Sequence, residues 1–207
     1  MKGPTLQTKC RLREGLRATR ASRRIAFAAL AMTLLCGFEW DGRVARLQRE
    51  YASGDVQRRI VAVRQMADYS APLVEDALLR ALEDPEDAVR MEAARATGRA
   101  GVRAAVPVLA DWLEDPDELV RSAAATALGE LGDPRPLPLL VRALGDLSAD
   151  VRIAAIDAIV RLGGEDGTVP MLGRLDDPDS RVRIATARAL GRLGDPRAVV
   201  PLIGRAR

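Results

Sequence analysis

Histidine is absent from this sequence of 207 residues. Its absence removes the commonest general base near neutral pH and the commonest metal ligand in proteins. The only two cysteines, Cys10 and Cys36, both lie near the amino terminus. Zinc clusters, redox pairs and cysteine nucleophiles are therefore excluded from the rest of the chain.

Aromatic residues make up only 3% of the chain, although 48% of its residues are hydrophobic. A core made from such a sequence depends on many small aliphatic contacts. This composition suits closely packed helices better than a β-sandwich, which usually draws on β-branched and aromatic side chains.

The net charge of +3 is unevenly distributed along the sequence. Residues 1–24 carry eight basic groups against Glu14, a net of +7, and the remaining residues carry a net of −4. A mildly acidic body is a poor candidate for binding a nucleic-acid backbone, so this function is disfavoured. The basic stretch itself suits a leader better than a site for nucleic acid or anionic lipid.

A short apolar segment follows the basic stretch. Its 13 residues, Ile25–Gly37, fall short of the roughly 20 that span a bilayer as a helix. We predict a disordered basic leader over 1–24 and a signal or anchor segment over 25–40. Lipidation at Cys36, a twin-arginine signal at Ser22–Phe27 and a plain signal peptide are the export variants, and each lacks part of its usual motif.

This leader predicts a bacterial protein that is exported, or tethered to the inner membrane on the periplasmic side. The alternative is a cytoplasmic protein whose first forty residues form an amphipathic or disordered extension, or follow from a start codon placed too far upstream.

The rest of the chain is repetitive. A Val-Arg pair recurs every 31 residues, and the first unit has Arg58-Arg59 at this position. The paired positions begin at Val89, Val120, Val151 and Val182. Such a period predicts five units, over 53–83, 84–114, 115–145, 146–176 and 177–207.

Within each unit the apolar spacing is helical. In the third unit one face is formed by Val120, Ala124, Ala127, Leu128 and Leu131. Leucines and a valine repeat the pattern over 137–144. Each unit is therefore predicted to contain a first and a second helix joined by a tight turn.

The residues at the expected helix ends of the third unit agree with this interpretation. Asp115, followed by proline, is predicted to cap the first helix, and Glu118 completes a capping-box-like arrangement. Gly132 suits the left-handed residue that ends that helix. The second helix is predicted to start near Pro136, which leaves Pro138 in its first turn.

The segment DPDELVRSAAATALGELGDPRPLPLLVRAL resembles the HEAT family, in particular its phycobilisome-lyase-type repeats. The resemblance covers residues 53–207. It implies a right-handed α-solenoid of about five helical hairpins, with first helices on the convex side and second helices on the concave side. The physics of the pattern agrees, because one hairpin cannot bury its apolar stripe alone but stacked neighbours can.

The two ends of the repeat array differ. Residues 41–52 place Val44, Leu47 and Tyr51 on one face, which predicts a capping helix. No such segment follows the fifth unit, so its last helix either caps itself or meets a partner or another copy. The oligomeric state is therefore predicted to be a monomer or an end-to-end self-association.

Two charged columns follow the repeat. An arginine column comprises Arg59, Arg90, Arg121, Arg152 and Arg183, and an aspartate column comprises Asp84, Asp115, Asp146 and Asp177. An anion-binding ladder is one interpretation, but we favour a structural ladder in which charge pairing between columns sets the stacking register.

Trp112 is the one tryptophan inside the repeats. Its counterparts in other units include Arg174, and those of the neighbouring Asp111 include Arg80 and Arg142. These variable positions are the predicted protein-binding candidates, because tryptophan is a common anchor of interfaces. Packing against the next unit is an equal alternative for Trp112.

No catalytic triad, Cys-His pair or phosphate-binding loop is present in the sequence. We predict a non-catalytic scaffold that binds a protein or peptide on its concave face, with no metal and no cofactor. The resemblance also raises a bilin lyase-like enzyme or accessory subunit as an alternative. Nucleic-acid binding is the third hypothesis.

Overall fold

The computed structural model describes residues 42–163 and 167–205. The predictions of a leader over 1–24 and an apolar segment over 25–40 lie outside these residues. The chain divides into two compact units, Met1–Ala45 and Arg46–Arg207. Only residues 42–45 of the first unit are described, and they are helical.

Over the described residues the chain forms helices and turns and no strand, which confirms the all-α prediction. Helix α1 covers residues 42–51. The α-helices that follow are α2 (Val56–Met66), α3 (Ala71–Leu82), α4 (Asp87–Ala100), α5 (Val106–Asp111), α6 (Glu118–Leu131), α7 (Leu137–Ala143), α8 (Ala149–Leu162), α9 (Thr168–Leu172), α10 (Ser180–Leu193) and α11 (Val199–Arg205).

The helices repeat with the period of the sequence. The even-numbered helices α2 to α10 are the first helices of the units, and they begin at residues 56, 87, 118, 149 and 180. The odd-numbered helices α3 to α11 are the second helices. Four of the first helices end at a glycine with positive φ: Gly101, Gly132, Gly163 and Gly194. Glycine adopts this left-handed conformation at little cost, and the prediction for Gly132 is confirmed.

The start of α6 differs from its prediction. The N-cap is Asp117, whose carboxylate accepts a hydrogen bond from the Leu119 amide at 2.8 Å. Asp115 instead accepts from the Asp117 amide at 2.8 Å and so closes the turn before the helix. The prediction of Asp115 as the cap is wrong because its side chain is used by this turn, which moves the helix start along the chain.

The second helix of the same unit begins as predicted. Helix α7 starts at Leu137 directly after Pro136, so Pro138 lies in its first turn. A proline there removes no intrahelical hydrogen bond, because the first amides of a helix have no carbonyl partner within it.

The core is aliphatic, as the scarcity of aromatic residues predicts. Its largest fully buried side chains include Met66, Leu78, Leu109, Leu128, Leu140, Ile156, Ile159, Met171 and Leu190. Each such side chain contributes about 1.5–3 kcal/mol relative to an exposed one. The face predicted for α6 is buried along its length, from Val120 to Leu131.

Helix packing defines two layers. Consecutive first helices pack directly on one another, α2 on α4, α4 on α6, α6 on α8 and α8 on α10. Helices α3, α5 and α7 pack more extensively on the first helix that follows than on the one that precedes. The most closely packed hairpin therefore consists of a second helix and the first helix that follows it. Its boundaries lie half a unit later than those predicted from the sequence.

Two glycines allow the first helices to approach closely. A Cβ built at Gly129 would lie 2.6 Å from Cα of Ala158, and one built at Gly98 would lie 3.2 Å from Cα of Ala127. Helices on the inner side of a curved stack lie closer together than those outside. This packing favours the first helices as the concave layer, the reverse of the arrangement that the resemblance implies.

Candidate protein-binding surface

Equivalent positions of the first helices form rows, because these helices repeat every 31 residues and pack side by side. The apolar row consists of Ile60, Met91, Ser122, Ile153 and Ile184, all at least partly exposed. Ile184 is 51% exposed, and Val61 and Leu119 beside the row are 44% and 58% exposed. A mostly aliphatic strip thus runs across five helices on the side away from the core.

Two charged rows lie four and eight residues after the apolar row, towards the carboxyl ends of the same helices. One contains Arg64, Arg95, Thr126, Asp157 and Arg188; the other contains Asp68, Arg99, Glu130, Arg161 and Arg192. Together they carry six arginines and three carboxylates, a net charge of +3. The surface formed by the apolar and charged rows, here called the first-helix face, is therefore more basic than the repeat body as a whole.

A buried carboxylate organises one end of the first-helix face. Glu92 has a side chain only 6% exposed, and its Oε1 accepts a hydrogen bond from Arg64 Nε at 2.9 Å. Arg95 and Arg99 place guanidinium nitrogens 3.5 and 3.7 Å from the same carboxylate. Burial alone would raise the pKa of Glu92, but the hydrogen bond and charges of these arginines outweigh it and hold the pKa below its usual value.

A surface pocket of about 840 Å³ lies at the other end of the face, between α8 and α10. Ile153, Ile184 and Ala185 supply its apolar lining. Its charged lining comprises Asp157, Arg181, Arg188 and Arg192. We call it the α8–α10 pocket.

The charges of this pocket are only partly compensated. Arg192 Nη2 donates to Asp157 at 2.7 Å, and Arg181 Nη1 donates to Asp150 at 2.8 Å. Arg188 forms no ion pair with any residue that the structure describes. Arg181 also pairs with Asp179 at 2.9 Å, so the pocket combines an apolar lining with one guanidinium, that of Arg188, that has no ion-pair partner among the described residues.

The charged columns join the repeats elsewhere. Arg152 donates through Nε and Nη2 to the Asp177 carboxylate at 2.9 and 2.7 Å, while its Nη1 donates to the Asp146 carbonyl at 2.8 Å. Arg121 binds the Asp146 carboxylate in the same way, at 2.8 and 2.9 Å. Each of these arginines therefore donates to a backbone carbonyl in the loop before its own helix and also pairs with the aspartate of the next unit.

The columns are not uniform. Arg59 Nη2 donates to Asp84 at 3.1 Å. Arg90, however, pairs with Asp87 three residues earlier in its own helix and not with Asp115. Arg183 donates through Nη1 to the carbonyl of Asp177 at 2.9 Å. The bidentate rungs to the next unit are thus those of Arg121 and Arg152.

The protein-binding candidates named from the sequence lie in the layer of second helices. Asp111 and Arg80 are exposed, and Arg142 forms an exposed ion pair with Glu114. Arg174 donates to the Leu144 carbonyl at 3.2 Å. The structure does not bring these residues onto the first-helix face.

Trp112 is half-buried at the carboxyl end of α5. The equivalent Ala81 and Ala143 are buried, at 0% and 8% exposure. The position therefore lies at the margin of the core in these units. Its role as a binding anchor stays a prediction.

Sequence reasoning missed the first-helix face. The signal was present in the repeat alignment, where Ile60, Met91, Ile153 and Ile184 are apolar at a position that the core pattern does not require. Its meaning depends on knowing that the first helices form a continuous layer.

The described residues contain no group of histidine, cysteine, aspartate or glutamate side chains suited to a metal ion. Among the same residues no helix is both long and apolar enough to span a membrane. What the surface offers chemically is aliphatic contact area, guanidinium groups and a few carboxylates.

A family model for HEAT repeats matches residues 44–112, 75–159 and 143–207. The chain belongs to the HEAT repeat family. Its α-solenoid architecture has relatives among solved structures, whereas none of the curated proteins matches it.

One similar structure is the complex of CpcE and CpcF of phycocyanin lyase from Nostoc sp. PCC7120. This HEAT repeat protein is 31% identical to a chain of that complex, with a TM-score of 0.63. The match covers 73% of this chain and 65% of that chain. The chain thus spans less than two thirds of the length of that relative.

Two further similar structures are not natural proteins. One is an engineered protein, 21% identical, with a TM-score of 0.58 over 79% of this chain and 85% of that chain. The other is a designed armadillo repeat protein in complex with the peptide (KR)4, 19% identical, with a TM-score of 0.56 over 78% and 87%. At these identities the likeness shows the solenoid fold alone.

Proposed function

We propose that this HEAT repeat protein is a non-catalytic scaffold that binds a segment of a protein partner along its first-helix face. The observation that carries the proposal is the apolar row, which crosses five helices with its side chains partly exposed beside arginines and with Ile184 51% exposed. An exposed apolar strip with a polar rim is typical of interaction surfaces.

The shape of the surface also suits an elongated partner. Its rows extend from α2 to α10 on helices that pack side by side, so side chains about three residues apart in an extended partner segment meet equivalent positions. Solenoids use such extended concave surfaces for binding. The relative that is a complex of two proteins supports a protein as the class of partner.

Site-directed photocrosslinking in cells that express the full chain tests this proposal. A crosslinking residue at Ser122 lies in the middle of the first-helix face, and one at Asp111 lies among the second helices. We expect a discrete protein adduct from Ser122 that is lost when Met91→Glu is added. Val169→Glu is the matched control, because Val169 is 54% exposed and lies on the second helix α9.

An adduct formed only from Asp111 would contradict the choice of face and favour the candidates around Trp112. An adduct from Ser122 that is equally strong with Met91→Glu would show that the apolar row does not contribute to binding.

The second candidate is a subunit of a lyase-like complex that acts on a bilin. The 31% identity to the phycocyanin lyase structure is the observation that favours it. Mixing the purified chain with free bilin distinguishes the two: a scaffold leaves the visible absorbance of the bilin unchanged, whereas a lyase-like site shifts it.

A further inference from the structure

We infer that the α8–α10 pocket receives an aliphatic side chain from an acidic segment of a partner protein, and that Arg188 pairs with a carboxylate of that segment. This inference rests on the proposed function and specifies the chemistry of its partner.

The aliphatic part follows from the lining. Ile153 and Ile184 belong to the apolar row and also line the pocket, and Ala185 adds to its apolar lining. A volume of about 840 Å³ is enough for one or more aliphatic side chains, and binding pockets commonly have volumes of about 300–1,000 Å³. Ile184 is 51% exposed, so covering it removes apolar surface from water.

The acidic part follows from the charges. Two of the three arginines that line the pocket are already paired: Arg192 with Asp157, and Arg181 with Asp150 and Asp179. Arg188 has no ion-pair partner within the described residues, and Arg161 on the neighbouring helix has none there either. A partner carboxylate gains the Arg188 guanidinium without displacing an existing pair, whereas a partner lysine meets carboxylates that arginines already occupy.

A protein segment fits better than a compact molecule because the pocket is open to one side and continues into the apolar row. Successive aliphatic side chains of one segment are able to occupy the pocket and then the row at Met91 and Ile60. A compact ligand would leave that strip exposed.

Gly191 provides a way to block the pocket without disturbing the fold. It lines the pocket within α10, and a Cβ built on it meets no atom within 4 Å. Gly191→Leu therefore fills the pocket with a side chain and also raises helix propensity. Gly173→Leu is the matched control, since Gly173 is equally open and lies outside the pocket, after α9.

The test is a random peptide library displayed on phage and selected on the immobilised full chain. We expect enriched peptides to carry aspartate or glutamate beside leucine, isoleucine or methionine. A labelled peptide from this set should bind with an affinity reduced about tenfold or more by Arg188→Glu, because charge reversal turns attraction into repulsion. Gly191→Leu should abolish its binding, and Gly173→Leu should leave it unchanged.

Several outcomes would overturn the inference. They are the absence of enrichment, enrichment of lysine- or arginine-rich peptides, and displacement of the bound peptide by an oligonucleotide. If Gly191→Leu changes only the self-association of the chain, measured by sedimentation, a second copy of the chain occupies the pocket instead. If Met91→Glu abolishes peptide binding but Gly191→Leu and Arg188→Glu do not, the pocket is not the binding site. The proposed function is then still supported.

Discussion

Arg152 and Asp177 form a buried bidentate ion pair that joins the fourth unit to the fifth. Their side chains are 8% and 0% exposed, and the carboxylate also accepts the Asp179 amide at 3.0 Å. Burial disfavours the charged carboxylate, but the hydrogen bonds from Arg152 and from this amide outweigh it and hold the pKa of Asp177 below its usual value. The pair therefore joins two units by charge at a site that is almost completely buried.

Replacing Asp177 by alanine should destabilise the protein strongly. The change leaves the Arg152 guanidinium buried without its counter-ion, and breaking a buried pair by removing one partner costs about 3–5 kcal/mol. Urea unfolding followed by helical circular dichroism measures the loss in free energy of unfolding.

Asp115→Ala is the control for this prediction. Asp115 accepts the amide two residues later, as Asp177 does, but Arg90 pairs with Asp87 and not with Asp115. We expect the control to lose only about 1 kcal/mol, the value of one ordinary hydrogen bond. Equal losses of unfolding free energy in the two variants would show that the ion pair between units adds no stability beyond the hydrogen bond of the turn.

The stability of the protein should fall at acid pH. The folded-state pKa values of Glu92, Asp146 and Asp177 are lowered by their arginines, and that of Asp133 is lowered to about 2 by hydrogen bonds from Arg135. A carboxyl group with a depressed folded pKa stabilises the fold above its unfolded pKa of about 4, and this contribution is lost as pH falls through the folded value.

Thermal unfolding as a function of pH checks this prediction. We expect a flat region between about pH 5 and 8, because the chain has no histidine to titrate there. Below about pH 4 the midpoint should fall, and Asp177→Asn should make the fall shallower. A steep change near neutral pH would contradict the assignment to carboxyl groups.

The regular parts of this fold could be predicted because they depend on local chemistry. The spacing of apolar residues in α6, the left-handed Gly132 and the position of Pro138 are each determined within a few residues of the chain. Asp115 could not be assigned in this way. Its role depends on the turn before the helix. Its ion pair with Arg90 would form only if Arg90 had no nearer carboxylate, and Asp87 is such a carboxylate.

The candidate site was harder to predict than the fold for a related reason. The residue type of Trp112 indicates a binding anchor, but whether its position belongs to the surface or the core depends on packing, and the equivalent Ala81 and Ala143 are buried. The rows of the first-helix face are visible in the repeat alignment. Their exposure depends on which helices form the continuous layer, and this follows from packing between units.

Tyr51 should titrate well above an ordinary tyrosine. Its hydroxyl donates to Asp84 Oδ2 at 3.0 Å, and burial, this hydrogen bond and the charge of Asp84 together raise its pKa to about 12. Because the folded pKa exceeds the unfolded value of about 10, this stabilising contribution is present below pH 10 and is lost as pH rises towards 12. Ultraviolet titration of the phenolate in the full chain and in Tyr51→Phe measures this; a phenolate transition near pH 10 that disappears in Tyr51→Phe would contradict it.

The same substitution at two equivalent glycines should have opposite effects on stability. Gly129 and Gly191 occupy the same position in α6 and α10, but a Cβ at Gly129 would lie 2.6 Å from Cα of Ala158, whereas one at Gly191 meets no atom within 4 Å. Gly129→Ala forces α6 and α8 apart and should cost about 1–3 kcal/mol, the usual result of overpacking. Gly191→Ala should instead stabilise the protein by about 0.5–1 kcal/mol, because alanine is the better helix former and the site has room. Chemical unfolding of both variants measures the difference, and a Gly129→Ala variant as stable as Gly191→Ala would show that the first helices do not pack as closely as this architecture requires.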